Sequence, residues 1–228
     1  MSEKVVVVVS GGLDSTTLLY DICLKSGDRK NVLALSFAYG QKHVKELECV
    51  RWHTIRLQCM QRVIDLSSIF DSIKMSALVN PKLEVPEIHD VLGHPQPVTY
   101  VPNRNMIFLS VAAAVAEDFG AESIFCGIQR HDIYSYWDTT VDFQDRMNAV
   151  FSLNRMTQIR IEAPFVNKSK EQILEVGYKY GIDYSKTWSC YNGKDSACGT
   201  CPTCAERRKA FKDFGRVDPL VYNIPWES

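Results

Sequence analysis

The chain has 228 residues, 46% hydrophobic and 23% charged, with a formal net charge of -1. That length supports one substantial core with at most a small appendage. The near-zero charge gives no electrostatic case for a long nucleic-acid footprint, and no apolar run has the length a bilayer demands.

The first residues lack a signal-peptide layout, because valines follow Lys4 at once and feed a glycine turn. The expected setting is therefore the cytoplasm. Val5 to Val9 is an unbroken β-branched run, the mark of a strand covered on both faces. Residues 14–25 then place Leu18, Leu19, Ile22 and Cys23 on one helical face, and Ser26-Gly27-Asp28 breaks the helix. Residues 31–40 read as a second strand, 44–59 as a second helix and 62–66 as a short third strand. From 67 to 102 the chain reads as irregular, with Pro81, Pro86, Pro95, Pro97 and Pro102 along it. Loops that long in compact domains tend to be functional or mobile.

Residues 104–120 form a nearly all-apolar helix closed by Gly120. A fourth strand is expected at 123–128, a helix at 141–155, a fifth strand at 158–165 and a helix at 169–181. Strands alternating with helix-length connections predict an α/β fold, a doubly wound and mostly parallel five-stranded sheet. Residues 1–185 would form this domain. Residues 186–228 break the alternation and would form a smaller region packed on it.

Ligands of open α/β sheets gather at the carboxyl ends of the strands, which is where SGGLDSTT, Ser10 to Thr17, falls. Gly11 and Gly12 permit tight turns and close approach of a phosphate, and the free N–H groups of the helix start complete an anion site. Ser10, Ser15 and Thr16 add hydroxyl donors. Asp14 suits a magnesium ion or a helix cap. Neither GK[ST] nor GxGxxG occurs here, so this is no Walker loop and no dinucleotide fingerprint. A bare Ser-Gly-Gly would also suit a plain capping turn.

The second motif is CYNGKDSACGTCPTC, in which Cys190, Cys198, Cys201 and Cys204 stand as C-x7-C-x2-C-x2-C. Four thiolates over fifteen residues, with Gly193 and Gly199 for tight turns, suit a closed, structural tetrahedral zinc. Iron–sulfur ligation is the rival, and disulfides do not fit a cytoplasmic setting. Cys23, Cys49, Cys59 and Cys126 are expected to pack as small apolar residues.

The string after the valine strand resembles the pyrophosphatase loop of the N-type ATP pyrophosphatases. That resemblance implies cleavage of ATP between the α- and β-phosphates and transfer of AMP to an oxygen. The nucleotide segment would then be Val9, Ser10, Gly11, Gly12, Leu13, Asp14, Ser15, Thr16, Thr17, Leu18 and Leu19. In the superfamily a lysine after strand five meets phosphate; Lys168 in PFVNKSKEQI is the expected match, with Lys170 the alternative.

With the cysteine motif added, the chain resembles the 7-cyano-7-deazaguanine synthase family over nearly its full length. The pieces that carry the likeness are SGGLDSTT, YGQKH at 39–43, VPNRNMIFLS at 101–110, NKSKE at 167–171, CYNG at 190–193 and CGTCPTC. The family reaction implies a deazaguanine carboxylate, ammonia, ATP with Mg2+, a structural Zn2+ and a homodimer. Asp14, Lys168, Arg104 and His43 would be catalytic, His43 as a proton shuttle. Tyr39, Gln41, Arg104, Asn105, Asp132 and Tyr136 would face the substrate, and Phe37 or Tyr39 would suit stacking on adenine.

Between Gln129 and Thr140 the chain departs from the family's usual ETDFSGYPDCR-like stretch. Ser135 stands for its glycine, Trp137 for its proline and Thr139-Thr140 for its Cys-Arg. The lost arginine is a planar cation suited to a carboxylate. This keeps open an alternative in which the carboxylate is adenylated and handed to another amine, such as a protein substrate in an antiphage system. His89 and His94 offer a pair for a second metal, or simply face solvent.

Overall fold

The computed structural model describes residues 3–94, 96–129 and 136–225. In chain order the elements are β1 (Val5–Val8), α1 (Leu13–Lys25), β2 (Val32–Ala38), α2 (Lys45–Leu57), β3 (Met60–Asp65), α3 (Ser67–Phe70), α4 (Ile88–Val91), α5 (Arg104–Phe119), β4 (Ser123–Cys126), α6 (Val141–Phe151), β5 (Arg160–Glu162), α7 (Lys170–Lys179) and α8 (Pro202–Asp213). None of these helices is long and apolar enough to cross a membrane.

The strands form one sheet in the order β3-β2-β1-β4-β5, and every pairing is parallel. Val5 pairs with Val32 on one side and Ser123 on the other. The chain winds outward from β1 to β3, then returns to build β4 and β5 on the opposite side. The order reverses between β1 and β4, the place where open sheets of this kind take ligands.

The all-valine strand follows from its central position. Successive side chains point to opposite faces, and both faces are covered. Val6, Leu33, Leu35 and Ile124 pack under Leu109, Ala112 and Ala116 of α5 and Phe143 and Met147 of α6. Val5, Val7 and Ala34 pack under Leu18 and Leu19 of α1, Val50 of α2, and Ile173 and Leu174 of α7. Each of the valine, leucine, isoleucine, phenylalanine and methionine side chains gains roughly 1.5–3 kcal/mol from leaving water.

Several element ends shift, β4 stopping at Cys126 and α6 at Phe151, and three larger details differ from the sequence reading. The 67–102 stretch contains two one-turn helices, α3 and α4. The fifth strand stops at Glu162 instead of running to 165, and Pro164 two residues on has no N–H for a ladder. Helix α8 was not expected. It opens with Pro202 at its first turn and buries Cys204, Arg207, Ala210 and Phe211, and Ala210 and Phe211 enter the same core as α1 and α7.

A third cluster of Trp188, Cys190, Ala197, Cys201, Cys204 and Leu220 lies beside that helix. Arg207 ties the region together. Its Nε and Nη2 meet Asp218 at 2.7 and 2.9 Å, and its remaining donors go to Thr187, Ser189 and the carbonyl of Tyr184.

His53 joins α2 to this region. Its Nε2 lies 3.0 Å from the carbonyl oxygen of Lys186, which can only accept, so Nε2 carries the hydrogen and Nδ1 accepts from the Tyr20 hydroxyl at 3.0 Å. Burial pushes its pKa from 6.5 down to about 4. The unfolded chain therefore takes up this proton more readily than the fold does. The contribution to stability is complete above 6.5 and drains as pH falls toward 4. Melting temperature should fall across that window, and the slope should be shallower in H53Q, as read by calorimetry.

Candidate active site

A cavity of about 320 Å3 opens at the carboxyl ends of β1, β2 and β4. One wall is the turn from β1 into α1, with Val9, Ser10, Gly12, Leu13, Asp14 and Ser15 lining it. Gly12 caps the helix in an extended conformation and offers no side-chain cap. The N–H groups of Leu13, Asp14 and Ser15 thus belong to the first turn, where a helix has no internal partner for them. Ser10 and Ser15 brace the turn through a 2.9 Å hydroxyl contact, and the Ser10 N–H donates to Ser15 Oγ at 3.1 Å.

Gly11 explains why the turn needs glycine. Its φ is +93°, and a Cβ there would stand 2.1 Å from the carbonyl oxygen of Glu46. Its own carbonyl accepts from the N–H of Trp188 at 2.9 Å. The loop is therefore pressed between the start of α2 and the chain leading into the cysteine region.

The rest of the expected nucleotide segment turns away from the cavity. Thr17 Oγ1 bonds the Leu13 carbonyl and the Tyr184 hydroxyl, both at 2.8 Å. Leu18 and Leu19 are core. Thr16 is fully buried and is not among the lining residues.

Lys170, not Lys168, reaches the loop. Its Nζ lies 2.9 Å from Asp14 Oδ2, 3.0 Å from Gln129 Oε1 and 3.9 Å from Glu206 Oε2. Burial opposes the ammonium, but the carboxylates of Asp14 and Glu206 outweigh it and hold the pKa above the ordinary lysine value. Asp14 Oδ1 is buried without a partner. Lys168 does not line the cavity; its carbonyl accepts from Gln129 Nε2 at 2.8 Å. The reason lies in the capping box of Ser169 and Gln172, which starts α7 at Lys170 and turns that residue inward.

The opposite wall comes from α5 and β2. Asn103, in the left-handed region at φ 55°, launches α5 so that Arg104, Asn105, Phe108 and Leu109 share the cavity face. The Arg104 guanidinium stands 5.9 Å from the centre of the Tyr39 ring. Burial opposes its charge, while Tyr39, Tyr191 and Asp138 favour it and raise its pKa. It pairs with no carboxylate among the described residues. Asn105 is held by Asp138, through its Nδ2 to the carbonyl oxygen at 3.1 Å. Tyr136 lines the cavity, stacked on Tyr100 and bonded to Thr99 at 3.2 Å. Asp132 and Ser135 lie outside the described residues.

The YGQKH turn divides its labour. Tyr39 and His43 line the cavity. Gln41 does not; its Oε1 accepts from the Tyr39 N–H at 2.7 Å and its Nε2 donates to the Phe37 carbonyl and to Glu46 Oε1, each at 3.1 Å. Its amide is spent on shaping the turn. Lining residues that sequence reasoning missed include Glu46, Tyr191, Glu206 and Arg207. Glu46 sits three residues beyond His43, at capping-box distance, which was the one local signal for it.

The four clustered cysteines bring their sulfurs within 4.8 Å of one another, in a group that could hold a metal ion. Cys190 Sγ and Cys198 Sγ are 3.6 Å apart, and Cys198 Sγ and Cys204 Sγ 4.0 Å. One tetrahedral ion with bonds of ~2.3 Å sets sulfur–sulfur edges of ~3.8 Å. Thiolates that each bind a different iron of a cluster stand farther apart. Cys23, Cys49, Cys59 and Cys126 lie outside this group and pack in or against the apolar clusters. His89 is exposed and meets Glu87 and Asp90, and neither it nor His94 belongs to a metal-binding group among the described residues.

Comparison with known proteins agrees with the likeness read from the motifs. The 7-cyano-7-deazaguanine synthase 1 of Colwellia psychrerythraea is 42% identical over 222 residues, covering 97% of this chain and 100% of that one. The 7-cyano-7-deazaguanine synthase of Caldicellulosiruptor bescii is 42% identical over 221 residues, covering 97% and 98%. Among solved structures, the U34-tRNA thiolase NcsA from Methanococcus maripaludis with its 4Fe-4S cluster superposes with a TM-score of 0.52 at 13% identity, over 93% of this chain and 67% of that one. NMN synthetase from Francisella tularensis does so at 0.50 and 11%, over 94% and 78%. These two share the fold. The family model described as queuosine biosynthesis protein QueC matches residues 4–215. Matched along nearly its whole length by that model and by relatives at 42% identity, the chain belongs to the QueC family.

Proposed function

We propose that the protein makes 7-cyano-7-deazaguanine from 7-carboxy-7-deazaguanine, ammonia and ATP. The observation that carries this reading is the polarity of one cavity. A helix start and Lys170 stand at one end. At the other stands Arg104, surrounded by rings and unpaired with any carboxylate among the described residues. The first end suits polyphosphate, and the second a flat, anionic acid.

A carboxylate resists nucleophiles because it is anionic and its oxygen leaves poorly. Transfer of AMP onto that oxygen removes both obstacles, and ammonia then gives the amide. The amide oxygen is just as poor a leaving group, so a second adenylation precedes elimination to the nitrile. Each ATP yields AMP and pyrophosphate.

The protein contributes position and charge. In this reading the N–H groups of Leu13, Asp14 and Ser15 cradle phosphate, and the Lys170 ammonium takes the role expected of Lys168. Arg104 holds the carboxylate. Asn105, Tyr39 and Tyr136 shape the pocket around the ring system, and His43 handles protons. Thr16, Thr17, Leu18, Leu19 and Gln41 serve as support. The unpartnered Asp14 Oδ1 is a suitable ligand for Mg2+. Zn2+ on Cys190, Cys198, Cys201 and Cys204 would staple residues 186–228 onto the nucleotide-binding residues 1–185, leaving no open position for chemistry.

Incubating the acid with ammonium, Mg2+ and ATP should give the nitrile by mass spectrometry, with two AMP for each nitrile. K170A should lower AMP formation by ~10²-fold or more, and K168A should cost far less. Amide or adenylate without nitrile, with transfer to a supplied amine, would favour the conjugating alternative instead. Elemental analysis of the purified protein should find about one zinc per chain and no iron. Iron in place of zinc would overturn the assignment of the metal.

A further inference from the structure

Beside the phosphate wall lies a group of side chains that nucleotide binding does not use. Glu46, near the start of α2, is buried and lines the cavity. Its Oε2 is 3.5 Å from His43 Nε2, and its Oε1 accepts from Gln41 Nε2 at 3.1 Å. His43 is also buried and lines the cavity; its Nε2 is 3.4 Å from the Tyr39 hydroxyl, and its Nδ1 is buried with no partner. One ring nitrogen therefore faces a carboxyl group while the other is left for a ligand.

We propose that Glu46 and His43 work as one proton-accepting pair for the substrate nitrogen, with Glu46 as the positioning and storing member and His43 Nδ1 as the contact. This rests on the nitrile-forming reading above. Turning an amide into a nitrile removes both hydrogens of the amide nitrogen. One leaves as the O-adenylated intermediate forms, the other as the C–O bond breaks and AMP departs with its electron pair. In each removal the N–H bond electrons stay with nitrogen to build the C–N multiple bond. The proton goes to Nδ1 while the hydrogen on Nε2 passes to the Glu46 carboxylate. The ring begins and ends neutral, with its hydrogen moved from one nitrogen to the other, and the carboxylate becomes a carboxylic acid. Return of the Glu46 proton to Nε2, with loss of the Nδ1 proton to solvent, restores both groups between the two removals.

The surroundings favour this division. Arg104 of α5 faces the pair, along with Tyr39 from the end of β2 and Tyr191 from the cysteine region. Burial first, and Arg104 second, push the His43 pKa down to about 3, so an imidazolium is strongly disfavoured there. Burial raises that of Glu46 to about 8, outweighing Gln41 and Arg104, which favour the anion. The carboxylate is thus the better base of the two, and the ring is a conduit to it. The pair must be ionised at Glu46 to accept a proton, so the rate rises as pH rises through about 8.

The test starts from the preformed amide with Mg2+ and ATP, so that ammonia's own titration is absent. Wild type should form nitrile with a rising limb near pH 8. E46Q keeps the shape of the side chain and should lower kcat by ~10²-fold, lose the limb and leave KM for the amide within a few-fold, while E46D restores part of the rate. H43N should lose a similar factor, and the double variant E46Q/H43N should be little worse than either single one. Wild-type kcat in E46Q, an unchanged pH limb, or losses that multiply in the double variant would overturn the proposal. Wild type that releases no AMP from ATP with either acid or amide would instead overturn the reading on which the proposal rests.

Discussion

The structure hinges on how the β1–α1 turn is gripped. Gly11 is held from two sides, by the Trp188 N–H on its carbonyl and by the Glu46 carbonyl against its α-carbon. Neither contact is with a neighbour in sequence, and both are with backbone, so no change of rotamer relieves them. Trp188 is set in turn by its indole N–H on the Cys190 carbonyl, by Thr203 on the Ser189 carbonyl and by Arg207 on Thr187. The cysteine region therefore braces the β1–α1 turn through a short chain of hydrogen bonds. Gly193 continues the same contact, with room for no Cβ against the Lys42 carbonyl beside His43.

Among the described residues three cations line the cavity, and their partners give them different work. Arg207 is committed to Asp218 in a buried, bidentate pair and serves as a strut. Removing one member of such a pair costs ~3–5 kcal/mol because a charge is left stranded. Lys170 lies among Asp14, Gln129 and Glu206, a shared arrangement that the polyphosphate of the proposed function would reorganise. Arg104 has rings around it and is the cation left to meet an acid. Under the proposed function, Lys170 would receive the phosphate and Arg104 the acid within one cavity, as adenylyl transfer between them requires.

The parts legible in the sequence were the local ones. An all-valine strand can only be central in a sheet covered on both faces, and a glycine pair after it announces a backbone site. Four cysteines within fifteen residues announce a group that could hold a metal, and the structure brings their sulfurs together. Lys168 and Lys170 were harder to separate, because the Ser169–Gln172 capping box marks where α7 begins but not which lysine meets Asp14, a contact between residues far apart in the chain. Glu46, Tyr191 and Glu206 come from α2, the cysteine region and α8, whose convergence no spacing reveals. Helix α8 escaped notice because charged residues dominate it and its buried set includes an arginine, a proline and a cysteine of the metal motif.

The most direct measurement is a crystal structure with an ATP analogue whose α,β-bridging oxygen is a methylene, which cannot be cleaved there. The account predicts the β- and γ-phosphates on the N–H groups of Leu13 to Ser15, with Lys170 Nζ drawn onto a phosphate oxygen. Phosphates bound away from the β1–α1 turn, with Lys170 still on Asp14, would contradict it.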